Sequence, residues 1–179
     1  GGLDNDQLYG GKDRDVLFGQ AGDDELDGGD GSDYLYGDVV SKNTDGEIIL
    51  DHSAVGDDHL TGGKGDDYLY GGDGDDAYYY NVGDGYDKID DQIGENELVI
   101  NDKTISEITQ ISINSSSNNT TYKDEYGNIY SLNLGSGMVI SVVDGHQTGS
   151  ITILDFDKNT NNFGILISST DSTPETTDI

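Results

Sequence analysis

Aspartate recurs in this sequence with a fixed neighbourhood. Asp6, Asp15, Asp24 and Asp33 stand nine residues apart, and Asp58, Asp67 and Asp76 resume the interval after a gap. Asp87 continues the series after two extra residues. Glycines crowd the positions around them: Gly10, Gly19, Gly22, Gly28, Gly29, Gly31, Gly56, Gly62, Gly63, Gly65, Gly71, Gly72 and Gly74. A second Asx residue often comes just before the aspartate, as in Asn5, Asp23, Asp57, Asp66 and Asp75. Glycine turns allow close backbone approach. Such turns present carbonyl oxygens beside carboxylates, which is what a hard cation needs. Ca²⁺ accepts six to eight oxygens of both kinds.

The elements that position these groups follow from the same period. From Gly1 the chain divides into nines: GGLDNDQLY, GGKDRDVLF, GQAGDDELD, GGDGSDYLY. The register returns as AVGDDHLT, GGKGDDYLY and GGDGDDAYY, and a looser unit spans Val82 to Asp90. The span from Gly37 to Thr61 is 25 residues, nine plus sixteen, so an insertion at 39–52 keeps the register. Within each unit the first six positions form a turn and the last three a short strand. Position eight is large and apolar: Leu8, Leu17, Leu26, Leu35, Leu60, Leu69, Tyr78 and Ile89. With period-two alternation only that side chain points inward.

Residues 1–36 and 53–90 resemble the repeats-in-toxin (RTX) family, the haemolysin-type calcium-binding nonapeptide repeats. Its consensus is G-G-x-G-x-D followed by x, a large apolar residue, and x. Asp4, Asp13 and Gln20 depart from the glycine pattern, which marks the first turns as the weaker ones. The resemblance implies an all-β fold, a two-sheet parallel β-roll in which alternate units stack on the same side. It also implies that each Ca²⁺ lies between two stacked turns, held by the sixth-position Asp and by glycine-turn carbonyls. Pairing alternate units gives about six sites. The position-five Asx residues either add a ligand or brace the turn through backbone hydrogen bonds.

Energetics point the same way. One buried Leu per unit, worth about 2 kcal/mol, does not offset backbone ordering at about 1–2 kcal/mol per residue. The metal is expected to supply the difference, so that folding is a calcium switch. Extracellular Ca²⁺ sites bind weakly enough to leave such a chain unfolded in the cytosol. The resemblance then implies type I secretion and folding outside the cell.

Composition narrows the partners. Lys+Arg 8 against Asp+Glu 37 gives a net charge of -29, which excludes nucleic acid and disfavours an anionic membrane. There is no cysteine for a disulfide or thiolate site. His52, His59 and His146 are isolated in sequence, and no nucleophile-elbow or HExxH pattern occurs, so no enzyme is expected. The chain opens inside a repeat at Gly1-Gly2, which suggests a piece of a larger parent protein.

Sorting outward positions by unit parity separates two faces. Odd units present Gln7, Tyr9, Glu25, Asp27, His59 and Thr61. Even units present Val16, Phe18, Tyr34, Tyr36, Tyr68 and Tyr70, an aromatic stripe suited to packing or binding. Three readings follow: a cover from the second half, a ladder of stacked rings, or a face for carbohydrate or protein.

After residue 90 the pattern becomes β-branched alternation. Strands are expected at Leu98–Asn101, Ile108–Asn114, Ile129–Leu134, Met138–Val143, Ser150–Leu154 and Gly164–Ser168. Residues 91–168 are read as a small sandwich or sheet extension capping the roll, and 169–179 as a disordered tail. The leading reading is a calcium-dependent folding and secretion module of a secreted toxin, adhesin or hydrolase. The alternative is a ligand-binding module using the aromatic face.

Overall fold

A computed structural model describes residues 1–38, 40–42, 48–50, 55–91, 93–105, 107–114, 119–133, 137–144, 147–154, 163 and 165–169. Every described element is a strand. In order they are β1 (Gln7–Lys12), β2 (Val16–Gln20), β3 (Glu25–Asp30), β4 (Tyr34–Asp38), β5 (Val40–Lys42), β6 (Ile48–Leu50), β7 (His59–Lys64), β8 (Tyr68–Tyr70) and β9 (Ala77–Tyr80). There follow β10 (Tyr86–Ile89), β11 (Glu97–Ile100), β12 (Lys103–Thr104), β13 (Glu107–Asn114), β14 (Asn119–Lys123), β15 (Ile129–Asn133), β16 (Gly137–Asp144), β17 (Gln147–Ile153) and β18 (Leu166–Ser169).

Odd and even units go to different sheets. One sheet runs β1-β3-β7-β9-β11-β12 and the other begins, from its far edge, β2-β4-β8-β10. All pairs along β1 to β11 and along β2 to β10 are parallel. Position eight lies on position eight: Leu8, Leu26, Leu60, Tyr78 and Leu98 form one column. Leu17, Leu35, Leu69 and Ile89 form the facing one. The pairing of Leu26 with Leu60 shows that the sixteen inserted residues leave the register intact. The insertion contains the antiparallel pair β5–β6, and Thr44-Asp45-Gly46, whose residue types suit a hairpin turn, lies outside the described residues.

The parallel stack outruns the recognisable repeats. β11 adds to β9 in parallel, so Asp91–Val99 acts as a ninth unit with Asn96 at position six and Leu98 inward. The tenth rung comes from far along the chain. β17 joins β10 in parallel, placing Ile153 beside Ile89. From β17 the same sheet turns antiparallel through β16, β15, β14 and β13, and β18 joins β13 in parallel at the edge. Of the two caps expected, the sheet extension is the one formed. The predicted strands there are present with ends shifted by at most three residues. The sequence reading missed β12 and the polar β14 (NTTYK). Ser169 of the expected tail ends β18, and the rest of that tail lies outside the described residues.

One core runs through both halves. Leu26, Leu35, Leu60, Leu69, Tyr78 and Ile89 continue into Met138, Ile140, Ile151, Ile153, Phe163 and Ile165, all essentially inaccessible. Phe163 meets Tyr78 with ring centroids 5.8 Å apart, so the C-terminal segment closes the end of the roll from inside. Leu8 and Leu17 are only partly buried at the other end.

Candidate metal centre

Each turn is shaped by its second and fourth residues. Gly63 and Gly65 have φ of +92° and +143°, a region that L side chains avoid. Asp13 and Gln20, which stand in for glycine, keep the positive φ at +71° and +90°. The fourth glycines also let rungs stack. A Cβ on Gly74 would strike the Gly56 carbonyl.

The sixth-position aspartates form two columns under these turns, Asp6-Asp24-Asp58-Asp76 and Asp15-Asp33-Asp67-Asp87. Oδ1 of each accepts the backbone N–H of its counterpart one rung earlier. Asp6 N–H donates to Asp24 at 2.7 Å, Asp15 to Asp33 at 2.8 Å and Asp24 to Asp58 at 2.8 Å. Asp33 N–H donates to Asp67 at 2.7 Å, Asp58 to Asp76 at 2.8 Å and Asp67 to Asp87 at 3.1 Å. Asn96 takes the next place, accepting from Asp76 at 2.9 Å.

The second carboxylate oxygen has no donor. Oδ2 of Asp15, Asp24, Asp33, Asp58, Asp67 and Asp76 is buried without a hydrogen-bond partner. An ionised oxygen left so costs several kcal/mol unless a cation compensates it. Each of these oxygens faces the first glycine of its own turn. A Cβ on Gly28 would lie 2.6 Å from Asp33 Oδ2 and 2.5 Å from the Gly62 carbonyl oxygen. A Cβ on Gly10 would lie 2.8 Å from Asp15 Oδ2 and 2.5 Å from the Gly28 carbonyl. A carboxylate from one turn and a carbonyl from the next rung thus converge where a side chain is missing. Among the described residues no three His, Asp or Glu side chains converge, so backbone oxygens must complete any coordination shell. This donor set fits Ca²⁺, which tolerates mixed, irregular oxygen shells.

Electrostatics show how poorly water serves these groups. Burial pushes Asp58 up to about 7, with Asp38 and Asp24 adding repulsion and the Asp24 N–H opposing it. Burial raises Asp67 to about 6, with Asp33 the foremost like charge. Asp87 rises to about 8 by burial and by Asp67. Asp24 and Asp33 shift the same way. Asp76 is raised by burial and by the nearby Asp91. A metal ion would reverse this preference for the protonated form.

Residues 1–38 and 53–89 match the family model of the RTX calcium-binding nonapeptide repeat, in four copies. These residues are RTX calcium-binding repeats. The chain is also similar to the AlgE6R3 subunit of the Azotobacter vinelandii mannuronan C5-epimerase, known in solution. Identity is 17%, the match covers 95% of this chain and 84% of that one, and the TM-score is 0.46. No curated protein matches the sequence.

Within the RTX stack, the position-five residues have a definite place. Asn5 Oδ1 accepts the Asp23 N–H at 3.1 Å, Asp23 that of Asp57 at 3.1 Å, and Asp57 that of Asp75 at 2.9 Å. Asp66 accepts the Tyr86 N–H at 3.1 Å and Asp75 that of Glu95 at 2.8 Å. They brace the next rung rather than their own turn, and this ladder runs opposite to that of position six.

On the even face the rings meet one another. Phe18 stacks on Tyr36 at 5.2 Å and Tyr34 on Tyr68 at 5.9 Å, while Tyr36 lies 6.3 Å from Tyr70. Arg14 sits 4.7 Å over Tyr34. Tyr36 is buried, Val16 is exposed, and the other four are half-buried.

Three participants in the RTX stack were missed in sequence: Asp91, Asn96 and Asp38. Asp91 occupies position one of the ninth unit, where the earlier units, Val82 apart, have glycine, and accepts the Tyr78 hydroxyl. Tyr78 in turn accepts the Gly71 N–H at 2.8 Å. The signal was present in Gly94-Glu95-Asn96 followed by Leu98, a degraded unit without its aspartate. Asp38, the third, is buried at the start of the insertion.

Proposed function

We propose that this chain is the calcium-triggered folding module of a larger secreted protein. The observation that carries the proposal is the columns of buried Oδ2 atoms without donors. They make the RTX fold unfavourable in a calcium-poor cytosol and favourable outside. Export through a type I channel, which needs an unfolded chain, agrees with that switch. The host protein is a toxin, an adhesin or a hydrolase, and this segment is not itself the enzyme. Pairing of alternate turns gives about six ions.

Circular dichroism during Ca²⁺ titration, with Mg²⁺ as control, tests it. A chain already β-structured in chelator, or one folded equally by Mg²⁺, would sink the proposal. Asp67→Asn is expected to raise the Ca²⁺ midpoint about tenfold, since ligand charge tunes affinity. Asp15→Asn is expected to raise it less, because Asp67 is buried and Asp15 is half-buried.

A second reading rests on the aromatic ladder. Phe18, Tyr34, Tyr68 and Tyr70 keep part of each ring in solvent. Such a surface suits stacking against a sugar or a protein. A glycan screen in saturating Ca²⁺ that finds no binder would remove carbohydrate from that reading.

A further inference from the structure

The insertion leaves the roll at a residue that breaks the turn pattern. Position two is Gly or Gln at residues 2, 11, 20, 29, 63, 72, 83 and 92, but Asp at 38. Asp38 ends β4 and is 4% exposed. Its Oδ2 accepts the Asp73 N–H at 2.6 Å, which accounts for one oxygen. Its Oδ1 is buried with no hydrogen-bond partner. The foremost charges acting on it are Asp73, Asp24 and Asp91, all carboxylates. Asp38 is in turn the foremost charge acting on Asp58.

A cradle of the repeat type lies next to it. A Cβ on Gly37 would sit 2.6 Å from the Gly71 carbonyl oxygen and closer still to Asp58 Oδ2. A second unpartnered carboxylate oxygen therefore belongs to the residue adjoining an existing cation cradle. No residue of the repeat consensus supplies it. Two buried anionic oxygens without donors in one neighbourhood call for more positive charge than the sibling turns require.

We propose that Asp38 is an additional Ca²⁺ ligand at the fifth turn, giving that site two carboxylates where its siblings have one. The proposal rests on the calcium reading above. It makes the junction between roll and insertion metal-dependent. The residue that departs from the repeat would then be the one that fastens the departure point.

Asp38→Asn and Asp38→Ala in the full chain test it, with calorimetric Ca²⁺ titration and urea unfolding at rising Ca²⁺. Asn keeps an oxygen for the Asp73 N–H but loses the charge. A ligand role predicts that both variants lose one ion, or bind one ion about tenfold more weakly, and that excess Ca²⁺ restores the urea midpoint. If Asn matches the parent and only Ala is impaired, Asp38 is a turn brace and the proposal falls. A deficit that excess Ca²⁺ does not recover, including failure to fold, also overturns it. Loss of Ca²⁺ binding by the parent chain itself would instead overturn the module reading.

Discussion

The roll and the antiparallel extension share a sheet but are held together differently. In the roll each rung contributes one inward apolar side chain, and its turns bury carboxylate oxygens without donors. In the extension, Met138, Ile140, Ile151 and Ile153 are inaccessible on neighbouring strands β16 and β17. Its buried turn aspartate is satisfied: Asp124 Oδ1 accepts the N–H groups of Tyr126 and Asn128 at 2.9 Å, and Oδ2 accepts the Asn128 amide at 2.6 Å. The turns of the roll thus leave buried carboxylate oxygens that a cation could satisfy, whereas Asp124 in the extension is satisfied internally. The two halves meet where β10 pairs in parallel with β17.

Removing calcium should break this comparison most visibly. Hydrogen exchange in chelator is expected to lose protection at Leu35, Leu69 and Ile89 while Ile140 and Tyr122 retain more. Uniform loss across both halves would show a single cooperative unit instead. Core truncation comes next. Leu60→Ala and Ile140→Ala should each cost about 2–5 kcal/mol in saturating Ca²⁺, yet Leu60→Ala should move the Ca²⁺ midpoint further. Equal midpoints would merge the two regions energetically.

Glycine substitutions sharpen the contrast at a smaller scale. Gly28→Ala drives a methyl between Asp33 Oδ2 and the Gly62 carbonyl, so Ca²⁺ affinity at that turn should fall. Gly127→Ala meets no atom within 4 Å and suffers only its φ of +98°, about 1–2 kcal/mol. Its Ca²⁺ midpoint should barely move. A calorimetric titration of both variants decides the matter.

The smallest effect is the pH dependence of the metal-free roll. Folded Asp67, Asp58 and Asp87 sit at about 6, 7 and 8, above the unfolded value of 3.8. Folding without metal therefore takes up protons, and its stability is greatest below 3.8 and is lost as pH rises through 6 to 8. Circular dichroism in chelator should show more β-structure at about pH 5 than at about pH 8, while Ca²⁺ affinity rises with pH over the same window. A chelated chain more ordered at the alkaline end would contradict the burial of these groups.

Much of the roll was legible because its repeat is local. The nine-residue interval gave the register, the inward position-eight residues and the parity of the two faces, and the pairs Leu26–Leu60 and Leu35–Leu69 match it. The ninth unit was missed because Asp91 and Asn96 replace the two residues that define the motif. Asp38 was missed because a lone aspartate at position two looks like the surplus charge of an acidic chain. β14 was missed because NTTYK lacks the apolar alternation that marks a half-buried strand.

By itself the sequence determined the calcium-binding turns. Their ligands lie within six residues of one another, and the period that sets them out is written along the chain. Only the tertiary structure decided that the turn columns keep one carboxylate oxygen bonded and the other free. It also decided that Tyr78 and Asp91 meet, and that residues 150–153 extend a sheet begun at residue 16. Those relations join segments far apart in sequence, and their partners are selected by edge pairing and burial rather than by local spacing. The calcium-binding turns were therefore readable in advance, whereas the distant contacts that bury their carboxylates were not.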